Sequence, residues 1–162
     1  MKQKIKERKD LSRIIKNLKE KGRRIIFTNG CFDLLHVGHI RYLEEAKTLG
    51  DVLVVGVNSD SSVRKIKGPE RPILPAEERI EILSGLQSVD YVAVFDEHDP
   101  LKLIASLLPD VLVKGGDWTK EQIVGGEVVE KSGGEVVIIP FVRGASTTNL
   151  IKTILKRYEK RT

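Results

Sequence analysis

The sequence of 162 residues has one cysteine, Cys31, and no uninterrupted apolar run long enough to span a membrane. A single cysteine excludes an internal disulfide and agrees with a reducing compartment. The first residues are basic and lack the apolar stretch of a secretory signal. We therefore expect a single-core cytoplasmic protein with no membrane partner.

Aromatic residues are also scarce, at 5% of the chain, although the formal net charge of +5 would suit a protein that binds nucleic acid. Residues 1–24 contain 11 lysines and arginines against 3 acidic residues, whereas residues 25–162 contain 17 against 20. Nucleic-acid modules usually combine a basic face with interleaved aromatics. The sequence therefore predicts no nucleic-acid partner. It also predicts a basic helical extension, 1–23, that packs on a domain at 24–162.

No G-x-G-x-x-G follows the first apolar run, which argues against the common dinucleotide-binding variant of the α/β fold. Short β-branched runs nevertheless alternate with helical patterns along the chain. This alternation predicts a Rossmann-like α/β three-layer sandwich with a central parallel sheet of about five strands. The predicted strands are the run before Asn29, then 51–58, 89–95, 111–113 and 135–140. The predicted helices begin at Asp10, Val37, Ser59, Pro75, Leu101, Glu127 and Ser146.

The first strand leads into a loop and helix that carry two histidines, His36 and His39. Their spacing of three places them on one helical face, and Gly38 between them lets a ligand approach the backbone. In a parallel sheet this loop lies at the carboxyl edge, where ligands bind, and the helix amino terminus offers N–H groups to anions. The arrangement suits a polyphosphate. The alternatives are a zinc half-site and a pair that caps its own helix.

Other loops follow strands and should lie at the same edge of the sheet. Ser146, Thr147 and Thr148 open the last helix, where their hydroxyl and N–H groups can cap the helix or hold a phosphate. Mere capping is the alternative for these three residues.

A basic loop between the second and third strands is a candidate lid. Lys67 lies in it, with a solvated surface lysine as the alternative interpretation. Arg71 and Arg79 suit the phosphate of a second substrate, because a guanidinium fork matches that group geometrically. For Arg79 the alternative is a salt-bridging helix residue.

The loop after the fourth strand has the sequence Lys114-Gly115-Gly116-Asp117-Trp118. Its two glycines let the backbone approach a flat ligand, and the carboxylate of Asp117 can accept hydrogen bonds from sugar hydroxyls. Trp118 is interpreted as a packing residue, with stacking on a ligand as the alternative.

The run from Gly30 to His39 resembles the G-x-F-D-x-x-H-x-G-H signature of the cytidylyltransferase-like nucleotidyltransferases. The likeness covers about residues 10–157. It implies that the histidines contact the nucleotide phosphates and that the G-x-S-T-T turn at 144–148 binds the β and γ phosphates. The nucleotide-binding residues that it implies are Asn29, Gly30, Phe32, Gly38, Lys114, Gly115, Ser146, Thr147 and Thr148.

Within this family the chain is similar to the heptose 1-phosphate adenylyltransferases at 67–69, 71–72, 114–117 and 146–148. The resemblance implies transfer of AMP from ATP, accompanied by Mg²⁺, to D-glycero-β-D-manno-heptose 1-phosphate, giving ADP-heptose for lipopolysaccharide and pyrophosphate. The catalytic residues would be His36, His39 and Lys67. The residues that bind the second substrate would be Asp33, Arg71, Arg79 and Asp117. Asp33 is expected to orient either its own loop or the incoming substrate.

Two other functions share these features. One is a cytidylyltransferase acting on a polyol phosphate such as glycerol 3-phosphate, and the other is a non-catalytic nucleotide-binding module. The module would be expected to have lost one of His36, His39 or Lys67, and all three are present. Cys31 is assigned to packing, because no partners are placed to activate it as a nucleophile.

The resemblance also bears on partners. The expected partners are the nucleotide, the sugar phosphate, a separate heptose kinase upstream and a second copy of the chain in a homodimer. No metal ligated by protein side chains is expected, since the Mg²⁺ that accompanies ATP would be held mainly by phosphates.

Overall fold

The computed structural model of the chain describes residues 2–116, 118–140, 144 and 146–158. Its strands are β1 (Ile25–Gly30), β2 (Val52–Asn58), β3 (Tyr91–Phe95), β4 (Val111–Gly115) and β5 (Glu135–Ile139). Its α-helices are α1 (Arg8–Glu20), α2 (Val37–Lys47), α3 (Asp60–Lys67), α4 (Ala76–Ser84), α5 (Leu101–Leu107), α6 (Gly126–Lys131) and α7 (Thr147–Tyr158). None of these described helices has the length and apolar character needed to cross a membrane.

The strands form one parallel sheet in the order β3-β2-β1-β4-β5. Strand β1 lies in the centre and pairs with β2, from Ile25 opposite Val52 to Gly30 opposite Val57, and with β4 on its other edge. The chain moves outward from β1 to β3 and then crosses back to β4 and β5. This reversal opens a crevice at the carboxyl ends of β1 and β4, where sheets of this kind bind ligands. The predicted Rossmann-like fold with a parallel sheet is confirmed.

Apolar residues pack on both faces of the sheet, because successive residues of a strand point to opposite faces. Ile25 and Phe27 of β1 pack in a cluster with Leu103 of α5, whereas Ile26 packs on the other face with Leu43 of α2. Every residue of β2 is buried. Burial on two sides explains why β2 is a continuous apolar run without alternation.

The basic amino-terminal helix α1 contributes to the core of the sheet domain. Leu11 and Ile15 are fully or almost fully buried in the cluster that contains Phe27. Arg8 donates to both carboxylate oxygens of Glu97 at 2.7 Å. The positive charge of this segment is thus carried by side chains around an apolar stripe that packs on the sheet.

Helix starts were predicted from capping residues, with mixed success. The prediction that Asp10 caps the first helix is wrong, because α1 begins at Arg8 and Asp10 lies in its first turn. There its carboxylate accepts a hydrogen bond from Arg13 at 2.9 Å, and a negative charge in a first turn still complements the helix dipole. The start near Ser59 is confirmed, since its hydroxyl oxygen accepts from the Ser62 amide at 3.3 Å.

Gly56 lies in the middle of β2, under the ring of Phe27. A β-carbon at this position would lie 2.8 Å from Phe27 Cζ and 3.2 Å from Leu103 Cδ2. We expect Gly56→Ala to lower the free energy of unfolding by about 1–3 kcal/mol, because the extra methyl group overpacks the core. Urea unfolding followed by circular dichroism measures the change.

Gly126→Ala is the matched control. Its β-carbon would lie 3.4 Å from Val136 Cγ2, an ordinary contact, and alanine is favoured over glycine in a helix such as α6. This variant should keep or slightly raise the stability. An equal loss of stability in both variants would contradict the overpacking explanation.

Candidate active site

A cavity of about 1000 Å³ opens where β1 and β4 end. The predicted site residues that line it are Asn29, Gly30, Phe32, Asp33, His36, Gly38, His39, Lys67, Arg71, Lys114, Gly115, Ser146, Thr147 and Thr148. The chain therefore brings together residues from loops that are distant in sequence. Arg79 does not line the cavity, and Asp117 lies outside the described residues.

The two histidines stack on each other at the start of α2. Their ring centroids are 3.9 Å apart, and the ring planes are inclined by 21°. His36 occupies the N-cap position with an extended backbone, but its side chain makes no capping hydrogen bond, so the self-capping interpretation is wrong. The Nδ1 atoms of both rings are buried and have no hydrogen-bond partner in the described part of the chain. Native proteins leave such atoms unpaired mainly where a ligand, ion or ordered water completes the bonding.

Burial also controls the charge of the pair. It lowers the pKa of His39 from 6.5 to about 4, with a smaller contribution from neighbouring His36, and it lowers the pKa of His36 as well. Both imidazoles are therefore neutral at pH 7, and each carries one N–H donor. A bound phosphate would favour the protonated form, so the pair can gain positive charge as an anion arrives.

Phe32 fixes the shape of the histidine loop. Its backbone adopts the left-handed region, with φ at 46°, and its ring packs against His39 at a centroid distance of 5.4 Å. A β-carbon on Gly30 would lie 3.1 Å from Phe32 Cε2, which explains the glycine at the end of β1. Gly30 thus leaves room for the Phe32 ring, which packs against the His39 ring.

The amino terminus of α7 lies against the same loop. Thr147 Oγ1 donates to the carbonyl oxygen of Leu34 at 3.2 Å, and Ser146 Oγ accepts from the Asn149 amide at 3.1 Å. Ser146 therefore caps the helix, and the first turn of α7 faces the cavity. The unpaired N–H groups of a helix start attract anions, so this end suits a phosphate group.

A lysine extends from β4 across to β1. Lys114 Nζ donates to Asn29 Oδ1 at 3.0 Å. Burial lowers the pKa of Lys114, and the negative charge of Cys31 in its thiolate form opposes that shift. The pair places a cation and an amide at the crevice between the central strands, where both line the cavity.

The carboxylate of Asp33 is occupied by groups of residues 68–75, the connection between α3 and α4 that contains the candidate lid and that we call the lid segment. It accepts from the Ile73 and Leu74 amides at 2.8 and 2.9 Å and from Arg71 Nε at 2.5 Å. Burial alone would raise the pKa of Asp33, but the two amides and the guanidinium outweigh it and hold the pKa below its usual value. The side chain is only 1% exposed, so Asp33 holds its own loop to the lid.

The structure corrects the assignment of Arg79 to the substrate. Its guanidinium is fully buried and donates to Asp60 Oδ1 at 2.7 Å, to the Cys31 carbonyl at 2.5 Å and to the Leu74 carbonyl at 3.0 Å. Arg79 is thus the salt-bridging helix residue of the alternative interpretation. A guanidinium enclosed by these acceptors has no path to a phosphate in the cavity.

Cys31 and Trp118 also line the cavity. Burial raises the pKa of the Cys31 thiol, although Lys67, Arg79 and Arg71 partly offset it, so the thiol is protonated at pH 7. Trp118 is 46% exposed, which contradicts its interpretation as a packing residue. Its indole ring is available at the rim.

The cavity has polar lining residues that sequence reasoning did not select: Asn58, Lys65, His98, Asp99 and Gln122. Asn58 ends β2, and His98 and Asp99 follow β3. Polar residues immediately after buried parallel strands are a usable signal of a site. This pattern was present in the sequence at the ends of β2 and β3.

The depressed pKa of His39 predicts a pH dependence of stability. The folded pKa lies below the unfolded value, so the unfolded chain binds the proton first and the native state loses stability as the pH falls from 6.5 towards 4. His39→Asn should lose less stability between pH 7.5 and pH 5 than the wild type, by on the order of 1 kcal/mol. Urea unfolding at several pH values measures this difference.

His98→Asn is the control, since it removes an exposed histidine at the rim of the same cavity. Identical pH profiles for His39→Asn and the wild type would show that burial of His39 does not destabilise its charged form.

The chain is similar to several known proteins. It is 58% identical over 151 residues to the bifunctional protein HldE of Geotalea uraniireducens, covering 93% of this chain and 31% of that protein. It is 56% identical over 155 residues to HldE of Geobacter sulfurreducens, covering 96% of this chain and 32% of that protein. The chain thus spans about a third of the length of these curated relatives.

Two solved structures share the fold. The lipopolysaccharide core biosynthesis protein from Thermoplasma volcanium has a TM-score of 0.63 and 32% identity, covering 76% of this chain and all of that chain. Pantoate-beta-alanine ligase from Francisella tularensis has a TM-score of 0.61 at 19% identity, covering 96% of this chain and 77% of that chain, and shows the fold alone. The family model described as cytidylyltransferase-like matches residues 27–156, and the chain belongs to that family.

Proposed function

We propose that this chain transfers AMP from ATP to D-glycero-β-D-manno-heptose 1-phosphate, giving ADP-heptose and pyrophosphate. The observation that carries the nucleotidyl transfer is the stacked pair of His36 and His39, with buried and unpartnered Nδ1 atoms, beside the start of α7. The similarity to HldE supports the heptose acceptor over a polyol phosphate. The relatives are bifunctional, and a match to about a third of their length suits one of two activities.

The proposed step is an in-line attack by the acceptor phosphate on the α phosphorus of ATP. An oxygen of the acceptor forms the new P–O bond while the bond to the β phosphate breaks and pyrophosphate leaves. The second pKa of a phosphate monoester is about 6, so the acceptor is already anionic at pH 7 and needs no strong base. Neutral histidines and a protonated Cys31 are compatible with this chemistry.

Positioning and charge stabilisation then supply the catalysis. We assign the β and γ phosphates to Ser146, Thr147 and Thr148, and the developing charge to His36 and His39. Lys67, at the exposed end of α3, would reach the triphosphate from the lid. Gly38 keeps the start of α2 open to the ligand. Lys114 and Gly115, with Asn29, would contact the nucleotide on the side of β4.

The acceptor would lie across the cavity from α7, as in-line displacement requires. Arg71 lines the cavity and is assigned to its phosphate. Asp117 is assigned to its hydroxyl groups. Mg²⁺ would accompany ATP and be held mainly by the phosphates, whose oxygens are the hard ligands that this ion prefers.

Two partners belong to the same proposal. The acceptor is a sugar 1-phosphate, so a separate kinase must supply it. A homodimer and a cytoplasmic location stay predictions.

A substrate panel tests the proposal. ATP and CTP are each combined with heptose 1-phosphate, glycerol 3-phosphate or phosphopantetheine in the presence of Mg²⁺, and pyrophosphate release is measured. ATP with the β-anomer of heptose 1-phosphate should be the best pair, by several orders of magnitude, because a pocket that hydrogen-bonds one base and sugar leaves polar groups unpaired with others.

Preference for CTP with glycerol 3-phosphate would overturn the acceptor and the nucleotide while leaving the phosphate site. Nucleotide binding without pyrophosphate from any pair would indicate a non-catalytic module.

His39→Ala should lower kcat by about a hundredfold or more, because the variant loses a donor that stabilises charge on the phosphates. Circular dichroism should show an intact fold. Near-normal turnover would remove His39 from the catalytic residues.

Cys31→Ser is the matched variant in the same loop and should keep most of the activity, because the thiol is assigned to packing. Complete inactivation of a folded Cys31→Ser protein would revive the nucleophilic role.

A further inference from the structure

We infer that Asp33 is a positioning residue for the acceptor phosphate, because its carboxylate holds Arg71 against the histidine loop with the guanidinium at the cavity. The identity of the acceptor rests on the proposed function. The positioning itself depends only on the negative charge of a phosphate and on contacts within the chain.

The carboxylate of Asp33 cannot itself bind substrate. Oδ2 accepts from Arg71 Nε at 2.5 Å and from the Ile73 amide at 2.9 Å, while Oδ1 accepts from the amides of Ile73 and Leu74 at 2.8 and 2.9 Å. The two oxygens of a carboxylate offer about four acceptor sites, and these bonds use them. Asp33 belongs to the cavity wall, but its side chain is only 1% exposed and its carboxylate oxygens are bonded to the lid segment.

Arg71, in contrast, retains donors for a ligand. Its Nε is bonded to Asp33, and neither terminal nitrogen has a hydrogen-bond partner among the described residues. The side chain is 18% exposed and lines the cavity. A guanidinium held at Nε presents its two terminal groups in one direction, which is the geometry that binds a phosphate through paired hydrogen bonds.

The buried guanidinium of Arg79 also holds the lid segment, through the backbone of Leu74. The Leu74 amide donates to Asp33, and the Leu74 carbonyl accepts from Arg79 Nε at 3.0 Å. Arg79 also donates to the Cys31 carbonyl at 2.5 Å, two residues before Asp33. The backbone of Leu74 is therefore tied to the histidine loop through both of its polar groups. Arg71 emerges three residues earlier, from an anchored segment.

This arrangement predicts energetic coupling between Asp33 and Arg71. Without the carboxylate, the Arg71 side chain would be ordered only when a phosphate binds, and the lost conformational entropy would weaken binding. The triphosphate site formed by α7 and the histidines does not contain Arg71. The affinity for the acceptor should therefore fall much more than the affinity for ATP.

The test is a double-mutant cycle with Asp33→Asn and Arg71→Ala, measured by pyrophosphate release. Each single variant should raise KM for the acceptor about tenfold or more, since a hydrogen bond to a charged group is lost or misdirected. KM for ATP should change by less than about twofold. The double variant should be no worse than Arg71→Ala, because Asp33 acts through Arg71. Additive increases, or a parallel rise in KM for ATP, would overturn the inference.

Asp110→Asn is the matched control. Asp110 also accepts from a backbone amide, that of Ile25 at 2.8 Å, and pairs with Lys19 at 3.2 Å, but it precedes β4 at the opposite end of the sheet. Its substitution should lower stability and leave KM for the acceptor unchanged. A rise in that KM comparable with Asp33→Asn would mean that general loss of stability explains both variants.

An acceptor-independent measurement separates this inference from the proposed function. If the wild type releases no pyrophosphate with any acceptor, the proposed function fails. Calorimetry with inorganic phosphate, in the presence of saturating ATP to occupy the site at α7, then judges the positioning. Asp33→Asn and Arg71→Ala should each weaken phosphate binding about tenfold, with no further loss in the double variant. Amide exchange at Ile73 and Leu74 should speed up in Asp33→Asn and not in Arg71→Ala. Wild-type phosphate affinity in Asp33→Asn would overturn the inference.

Discussion

The pairing of β1 with β2 on one side and β4 on the other is the constraint on which the structure depends. Because both pairings are parallel, every loop after a strand comes to the same edge of the sheet. After β1 the chain adds strands on one side of the sheet, and from β4 onward it adds them on the other side. The loops after β1 and β4 therefore diverge, and the cavity lies between them. The histidine loop, the lid and the start of α7 meet there although they are distant in sequence.

Most of the fold could be predicted, because strands and helices that pack against the sheet need apolar residues at regular positions in the sequence. The continuous apolar run of β2 and the helical spacing of Leu11 and Ile15 both report contacts that the structure contains. Helix boundaries were less predictable. An acidic residue favours both the N-cap and the first turn, so Asp10 fitted either position and only the backbone distinguishes them.

The location of the site was predictable, but the direction of its charged side chains was not. His36 and His39 follow directly from the rule that loops after parallel strands bind ligands. Lys114 lies near the same edge, but within β4 and not in the loop predicted for it. Asp33, in the loop after β1, and Arg79, in α4, bind the backbone groups of residues 73 and 74, because these groups lie within their reach. That proximity is created by tertiary folding of the lid, which local periodicity does not encode.

The position of Trp118 has an optical consequence. It is the sole tryptophan in the sequence, it is 46% exposed, and it lines the rim of the cavity. Indole emission responds to changes in polarity and to stacked rings around it. The protein therefore carries its own fluorescent reporter at the mouth of the cavity, and occupancy can be followed by stopped-flow methods without attaching a dye.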